Sequence, residues 1–133
     1  MYGKILVEKK MRIFIMKEQN LSYKFYRPGT DVKAVVFCVH GMQEHKMRYD
    51  AFAKYLNENG IACITYDLPG HGKSVKDGKP GYFSDQDGWK TLVNSAVEIA
   101  KMVKEEYPDL PLIYFGHSMG TIIGRVFLQE HDD

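Results

Sequence analysis

Three stretches of the chain are predominantly apolar: residues 34–39, a continuous run rich in valine, residues 61–66, where Thr65 is the one polar residue, and residues 112–115. Strands with no polar alternation are buried on both faces, as parallel strands inside an α/β sheet are. The intervals between them carry helical spacing instead. In residues 49–59, Phe52, Tyr55 and Leu56 recur along one face, and Asn59-Gly60 supplies a C-terminal stop. In residues 87–107, Trp89, Leu92, Val93, Ala96, Ala100 and Val103 line one face, with Pro108 just beyond the end. A third helical segment covers residues 121–129. Strand–helix alternation of this kind predicts a parallel sheet with right-handed crossovers.

The start of the chain reads differently. Residues 12–16 and 22–26 are short segments of strand-forming residues separated by Glu18-Gln19-Asn20, and they read as an antiparallel pair. Arg27-Pro28-Gly29-Thr30-Asp31 then forms a turn around its Pro–Gly pair. Residues 1–10 are an N-terminal extension, with Met11 a candidate second start, and residues 11–133 make one partial domain.

Composition narrows the function classes. At 133 residues the chain holds one domain at most. A charged fraction of 26% against 44% hydrophobic residues is that of a globular protein. A net charge of +1 argues against a nucleic-acid arm or a polybasic membrane patch. No apolar run approaches the roughly 20 residues of a membrane span. Lys4, Glu8, Lys9 and Lys10 interrupt what would be a signal peptide's apolar core, so a cytoplasmic protein is expected. Cys38 and Cys63 make neither a disulfide framework nor a zinc spacing, and read as two buried, reduced thiols.

The strongest chemical signal is Gly116-His117-Ser118-Met119-Gly120, a G-x-S-x-G nucleophile elbow with an apolar strand leading in and a helix leading out. The elbow holds its serine on a sharp, strained turn so that the hydroxyl stands clear of the backbone. Strand and helix then pass so closely that glycine is needed two residues before and after the serine. Gly116 and Gly120 meet that need. The second signal, Val39-His40-Gly41-Met42, ends the 34–39 strand. Acyl transfer builds negative charge on a carbonyl oxygen, and backbone N–H donors must wait where it appears. The expected donors are Met119, after the nucleophile, and Met42, in the earlier loop. His40 and Gly41 would support that loop. A glycine turn at a strand end is the plain alternative.

The third signal, Asp67-Leu68-Pro69-Gly70-His71-Gly72-Lys73-Ser74, ends in Gly-Lys-Ser. A phosphate-binding loop needs glycine where Asp67 stands, and no helix pattern starts at Lys73, so nucleotide binding is rejected. A glycine-rich turn bracing the back of the site is expected instead.

Together HGMQEH with RY following, DLPGHGKS and GHSMG resemble the α/β-hydrolases, in the monoacylglycerol lipase and lysophospholipase branch also called serine aminopeptidase-like. The resemblance runs from about residue 11 to the end. It implies hydrolysis of small acyl esters or lipids through an acyl-enzyme on Ser118, with Met42 and Met119 as oxyanion donors and no metal or cofactor. In that fold the acid and the histidine of the triad follow the serine in the sequence. This chain ends at Asp133, so the expectation is the N-terminal half of such a fold, truncated after the elbow helix, poorly active alone and prone to self-association.

The five histidines offer no evident substitute base. His117 reads as packing, and His40 and His71 as structural hydrogen-bonding residues; His45 lies near the cleft mouth as a candidate substrate contact, and His131 at the terminus. Residues 40–45 are one residue too long for H-x-x-E-H. Asp67 and Asp85 read as structural loop residues. A peptidase, thioesterase or acyltransferase of the same fold, or a remnant without turnover, stays open beside the ester hydrolase.

Overall fold

The computed structural model describes residues 21–74 and 88–131. They form a four-stranded sheet in the order β1-β3-β2-β4. The strands are β1 (Tyr23–Tyr26), β2 (Ala34–Val39), β3 (Ile61–Tyr66) and β4 (Leu112–Gly116). β2 runs parallel to both β3 and β4, in register Val36↔Cys63 and Val36↔Ile113. β1 is antiparallel to β3, with Tyr26 opposite Cys63. The expected partner for β1, residues 12–16, lies outside the described residues, and so does Asp85.

The helices are α1 (Asp50–Glu58), α2 (Gly88–Glu106) and α3 (Met119–Glu130). Alternation along the central strand sorts them onto two faces. Val35, Phe37 and Val39 point into a core shared with Leu92, Ala96 and Ile99 of α2 and Ile123 and Phe127 of α3. Val36 and Cys38 point the other way, against Ala53 and Leu56 of α1. A strand with helices on both sides has no solvent face, hence the unbroken apolar run of β2 and that of β3, broken only by a Thr65 that is itself buried. Phe37 meets the ring of Tyr114 edge-on at 4.8 Å, and that of Phe127 at 5.9 Å. Such pairs contribute about 1 kcal/mol beyond the area they bury.

Three expectations need correction. β4 is not buried on both faces: its exposure alternates, and Ile113 and Phe115 remain 48% and 42% exposed. Of the two, Phe115 meets the rings of Tyr49 and Phe52, at 6.0 and 5.2 Å. Tyr55 of α1 faces solvent, and Ala53 takes the buried place beside Leu56. Trp89, in the first turn of α2, is 40% exposed, whereas Ile99 is fully buried. Cys38 and Cys63 are free and buried, with their sulfurs 3.7 Å apart on neighbouring strands. No helix of the described residues is long and apolar enough to cross a membrane.

Candidate active site

Ser118 sits between the end of β4 and the first turn of α3 with φ 54° and ψ −119°. A non-glycine residue in that region is strained, and persists only where its surroundings fix it. Here the fixing is visible. The His117 N–H extends the β2–β4 ladder by donating to the Val39 carbonyl at 3.2 Å. The Gly120 and Thr121 amides then donate to the His117 and Ser118 carbonyls, each at 2.9 Å, and begin α3. A Cβ on Gly120 would run into the Val39 carbonyl, and one on Gly116 would lie 2.6 Å from the Gly120 oxygen. The Tyr114 hydroxyl donates to that Gly120 oxygen at 2.6 Å. The N-terminus of α3, with no acidic residue in its first turn, presents its positive end at Ser118.

The loop after β2 closes as a turn in which the Glu44 N–H donates to the Gly41 carbonyl at 3.2 Å. Gln43 takes a left-handed φ of 65° within it, and Met42 is 62% exposed on it. Gly41 itself is buried against the elbow: a Cβ there would lie 3.0 Å from the Ser118 Cβ and 3.2 Å from the His117 oxygen. The structure therefore brings the two expected loops together at Ser118, with Met42 on one and Met119 opening the helix on the other.

A carboxylate joins these loops. His117 Nδ1 and Glu44 Oε1 are 2.8 Å apart. Glu44 Oε2 accepts from the Tyr49 hydroxyl at 3.3 Å and from Arg48 Nε at 3.2 Å. Burial by itself would raise the Glu44 pKa, but the His117 bond, with Tyr49 and Arg48 behind it, brings it below its ordinary value. Burial and the Glu44 carboxylate push the Tyr49 hydroxyl up to about 12. The expectation that His117 packs into the protein is thus corrected: its side chain is 59% exposed and bonded to Glu44. Glu44 and Tyr49 stand in the quoted motif and Tyr114 on the strand before the elbow, but the sequence alone assigns none of them a role, because their partners are set by the fold.

Behind the site, His40 is buried and engaged at both ring nitrogens. The Leu68 N–H donates to its Nε2 at 2.9 Å, and its Nδ1 lies 2.7 Å from the Gly41 carbonyl oxygen. An accepting Nε2 assigns the proton to Nδ1. Burial, assisted by neighbouring His71, holds the imidazole pKa below 6.5. The rings of His40 and His71 lie 5.2 Å apart, and His71 Nδ1 contacts the Pro69 carbonyl at 3.0 Å. Asp67 accepts from the Lys46 amide, the Lys46 ammonium and the Lys73 amide at 2.7, 2.8 and 2.9 Å. At the end of the loop, the Ser74 hydroxyl accepts from the Ser22 N–H at 2.9 Å. His45 is exposed just before the 3-10 turn Lys46–Tyr49, and the His131 amide donates to the Phe127 carbonyl at the end of α3. Among the described residues no group of three or more His, Cys, Asp or Glu side chains is arranged to hold a metal ion.

Comparison with known proteins agrees with this architecture. The family model described as serine aminopeptidase S33 matches residues 30–133. A monoglyceride lipase homolog of monkeypox virus is 33% identical over 111 residues, covering 84% of this chain and 38% of its own. Monoglyceride lipase of Mus musculus is 32% identical over 112 residues, covering 84% of this chain and 35% of its own. The chain thus spans little more than a third of these relatives. Among solved structures, a thermostable carboxyl esterase from Bacillus coagulans in complex with glycerol superposes with a TM-score of 0.79 at 35% identity. That match covers 84% of this chain and 36% of the esterase. With sheet order, elbow and family match in agreement, the chain belongs to the α/β-hydrolases, in the serine aminopeptidase S33 family.

Proposed function

We propose that this chain carries the nucleophile and the oxyanion-binding half of a serine hydrolase acting on carboxylic esters of the monoacylglycerol or lysophospholipid class. The observation that carries the reading is the left-handed Ser118 at the strand–helix junction, with the Gly41 turn packed against it. The kinship to monoglyceride lipases supports the substrate class. Two free, buried thiols suit a reducing compartment, and the cytoplasm is the proposed location.

In this mechanism the Ser118 hydroxyl gives its proton to a general base as its oxygen attacks the ester carbonyl. The resulting oxyanion lies between the Met42 and Met119 amides, aided by the positive end of α3. Collapse of the tetrahedral intermediate expels the alcohol, protonated by the same base, and leaves an acyl group on Ser118. Water activated by that base releases the acid. His40, His71 and His117 are each committed to other partners. In this fold the acid and the histidine of the triad follow the serine in the sequence, so the base and the acid that orients it are proposed to belong to the portion of the relatives' length that these residues do not span. His45, exposed beside the turn, is the proposed contact for the polar part of the substrate.

The test is fluorophosphonate labelling together with hydrolysis of p-nitrophenyl esters and monoacylglycerols by the full protein. Labelling at Ser118, and loss of both labelling and turnover in Ser118→Ala, is the expected result. Unchanged turnover in Ser118→Ala would move the chemistry elsewhere. Cleavage of aminoacyl p-nitroanilides in place of esters would make the enzyme a peptidase.

A further inference from the structure

We propose that Lys46 and Asp67 are positioning residues that clip the Met42 turn in place, an inference that rests on the ester-hydrolase reading above. Lys46 is 8% exposed and Asp67 1% exposed. Lysine and aspartate are rarely buried so far, and removing both charges from water is costly unless the pair is well satisfied. This pair is well satisfied. One Asp67 oxygen takes the Lys46 backbone amide at 2.7 Å; the other takes the Lys46 ammonium at 2.8 Å and the Lys73 amide at 2.9 Å. The carboxylate thus grips lysine by its main chain as well as its side chain, which fixes where the loop lies and not only where its charge goes. Room for the carboxylate comes from Gly72, at φ +49°, where a Cβ would stand 2.5 to 2.6 Å from three Asp67 atoms.

The other end of the same loop is tied to the same place. His40 accepts the Leu68 N–H, one residue after Asp67. Residues 40–46 are therefore anchored at both ends on the segment that follows β3. Between the anchors, the turn contains a left-handed Gln43 and an exposed Met42. A strained turn keeps its shape only when its surroundings dictate it. An amide that must meet developing charge has to be in place before the charge forms. The clip supplies that constraint at the downstream end, while Glu44 ties the middle of the turn to His117.

Three variants of the full protein test this. Lys46→Arg keeps the charge and the carboxylate partner. Lys46→Met removes the ammonium. The double variant Lys46→Met with Asp67→Asn removes both charges while an amide oxygen still accepts a backbone N–H, so no unpaired charge is left buried if the single variant fails to fold. Each is assayed at a temperature where circular dichroism shows it fully folded, by steady-state kinetics on a short p-nitrophenyl ester and by amide hydrogen exchange. In Lys46→Met and the double variant, kcat is expected to fall roughly 10- to 100-fold with KM nearly unchanged, as for a displaced oxyanion donor. Exchange should accelerate at residues 42–46 and not in β2, and Lys46→Arg should restore both readouts. Unchanged kcat and exchange in the double variant would overturn the proposal. So would equal acceleration in the turn and in β2, which is what a merely stabilising ion pair gives. Should the unmodified protein neither label at Ser118 nor hydrolyse esters, the hydrolase reading falls, and the exchange result alone decides the clip: local acceleration supports it, and none refutes it.

Discussion

Glu44 and His117, 73 positions apart in the sequence, share a hydrogen bond of 2.8 Å that ties the turn after β2 to the elbow after β4. Glu44→Gln keeps an acceptor for His117 and loses the charge. The His117 side chain is largely exposed, so the substitution is expected to cost only about 0.5–1 kcal/mol. The folded Glu44 pKa lies below its ordinary 4.5. The stability it contributes is present above that value and is lost as pH falls through the lowered one. The urea midpoints of wild type and Glu44→Gln should therefore differ at pH 7 and converge under acid.

Ser118 carries backbone strain that a residue without Cβ does not feel. Ser118→Gly is expected to raise stability by about 1 kcal/mol while abolishing hydrolysis. A thermal melt paired with an esterase assay reads both. A variant less stable than wild type would mean that the serine side chain contributes more to the fold than its backbone costs.

His40 makes stability depend on pH in the same direction as the carboxylates but in a higher range. Its folded pKa lies below 6.5, so the unfolded chain takes up the proton first. Stability is full above about 6.5 and declines as pH falls from there to the folded pKa, by at most about 1.4 kcal/mol per pH unit for one group. His71, Asp67 and Glu44 are the charged or titratable neighbours that modulate it. Urea midpoints between pH 7.5 and 5.5 should slope in the wild type and flatten in His40→Gln. An equal slope in both would assign the effect to another group.

The apolar face of β4 is expected to drive association of the 133-residue chain. Ile113 lies exposed beside Phe115, and Ile122 and Leu128 are exposed on α3. Exposed apolar side chains on a strand at the edge of the described sheet promote self-contact. Size-exclusion chromatography with light scattering should show oligomers that Ile113→Lys reduces. A monomer at all concentrations would refute this.

Periodicity located the central strands residue for residue, because β2 and β3 are covered on both faces and carry apolar side chains at every position but the buried Thr65. It misread β4, where burial depends on what stacks against the strand and not on the strand itself. It placed Trp89 on the buried face of α2, since helical spacing fixes the direction of a side chain but not whether the core reaches the first turn. At the site, the glycine pattern around Ser118 was legible because steric exclusion is local. The grip of Asp67 on Lys46 and of Glu44 on His117 was not, because each joins loops that only the finished sheet brings together.

Cys38 and Cys63 give the sheet a built-in reporter. Their sulfurs touch at 3.7 Å between β2 and β3, fully shielded by the strands and α1. The hydrogen bond to Cys63, with burial, pushes the Cys38 thiol far above its ordinary pKa, so the reactive thiolate is suppressed while the strands stay paired. Alkylation can then proceed only through openings that part the centre of the sheet. The rate at which a small alkylating agent consumes these thiols thus measures how often the scaffold beneath the elbow comes apart, without any label being introduced.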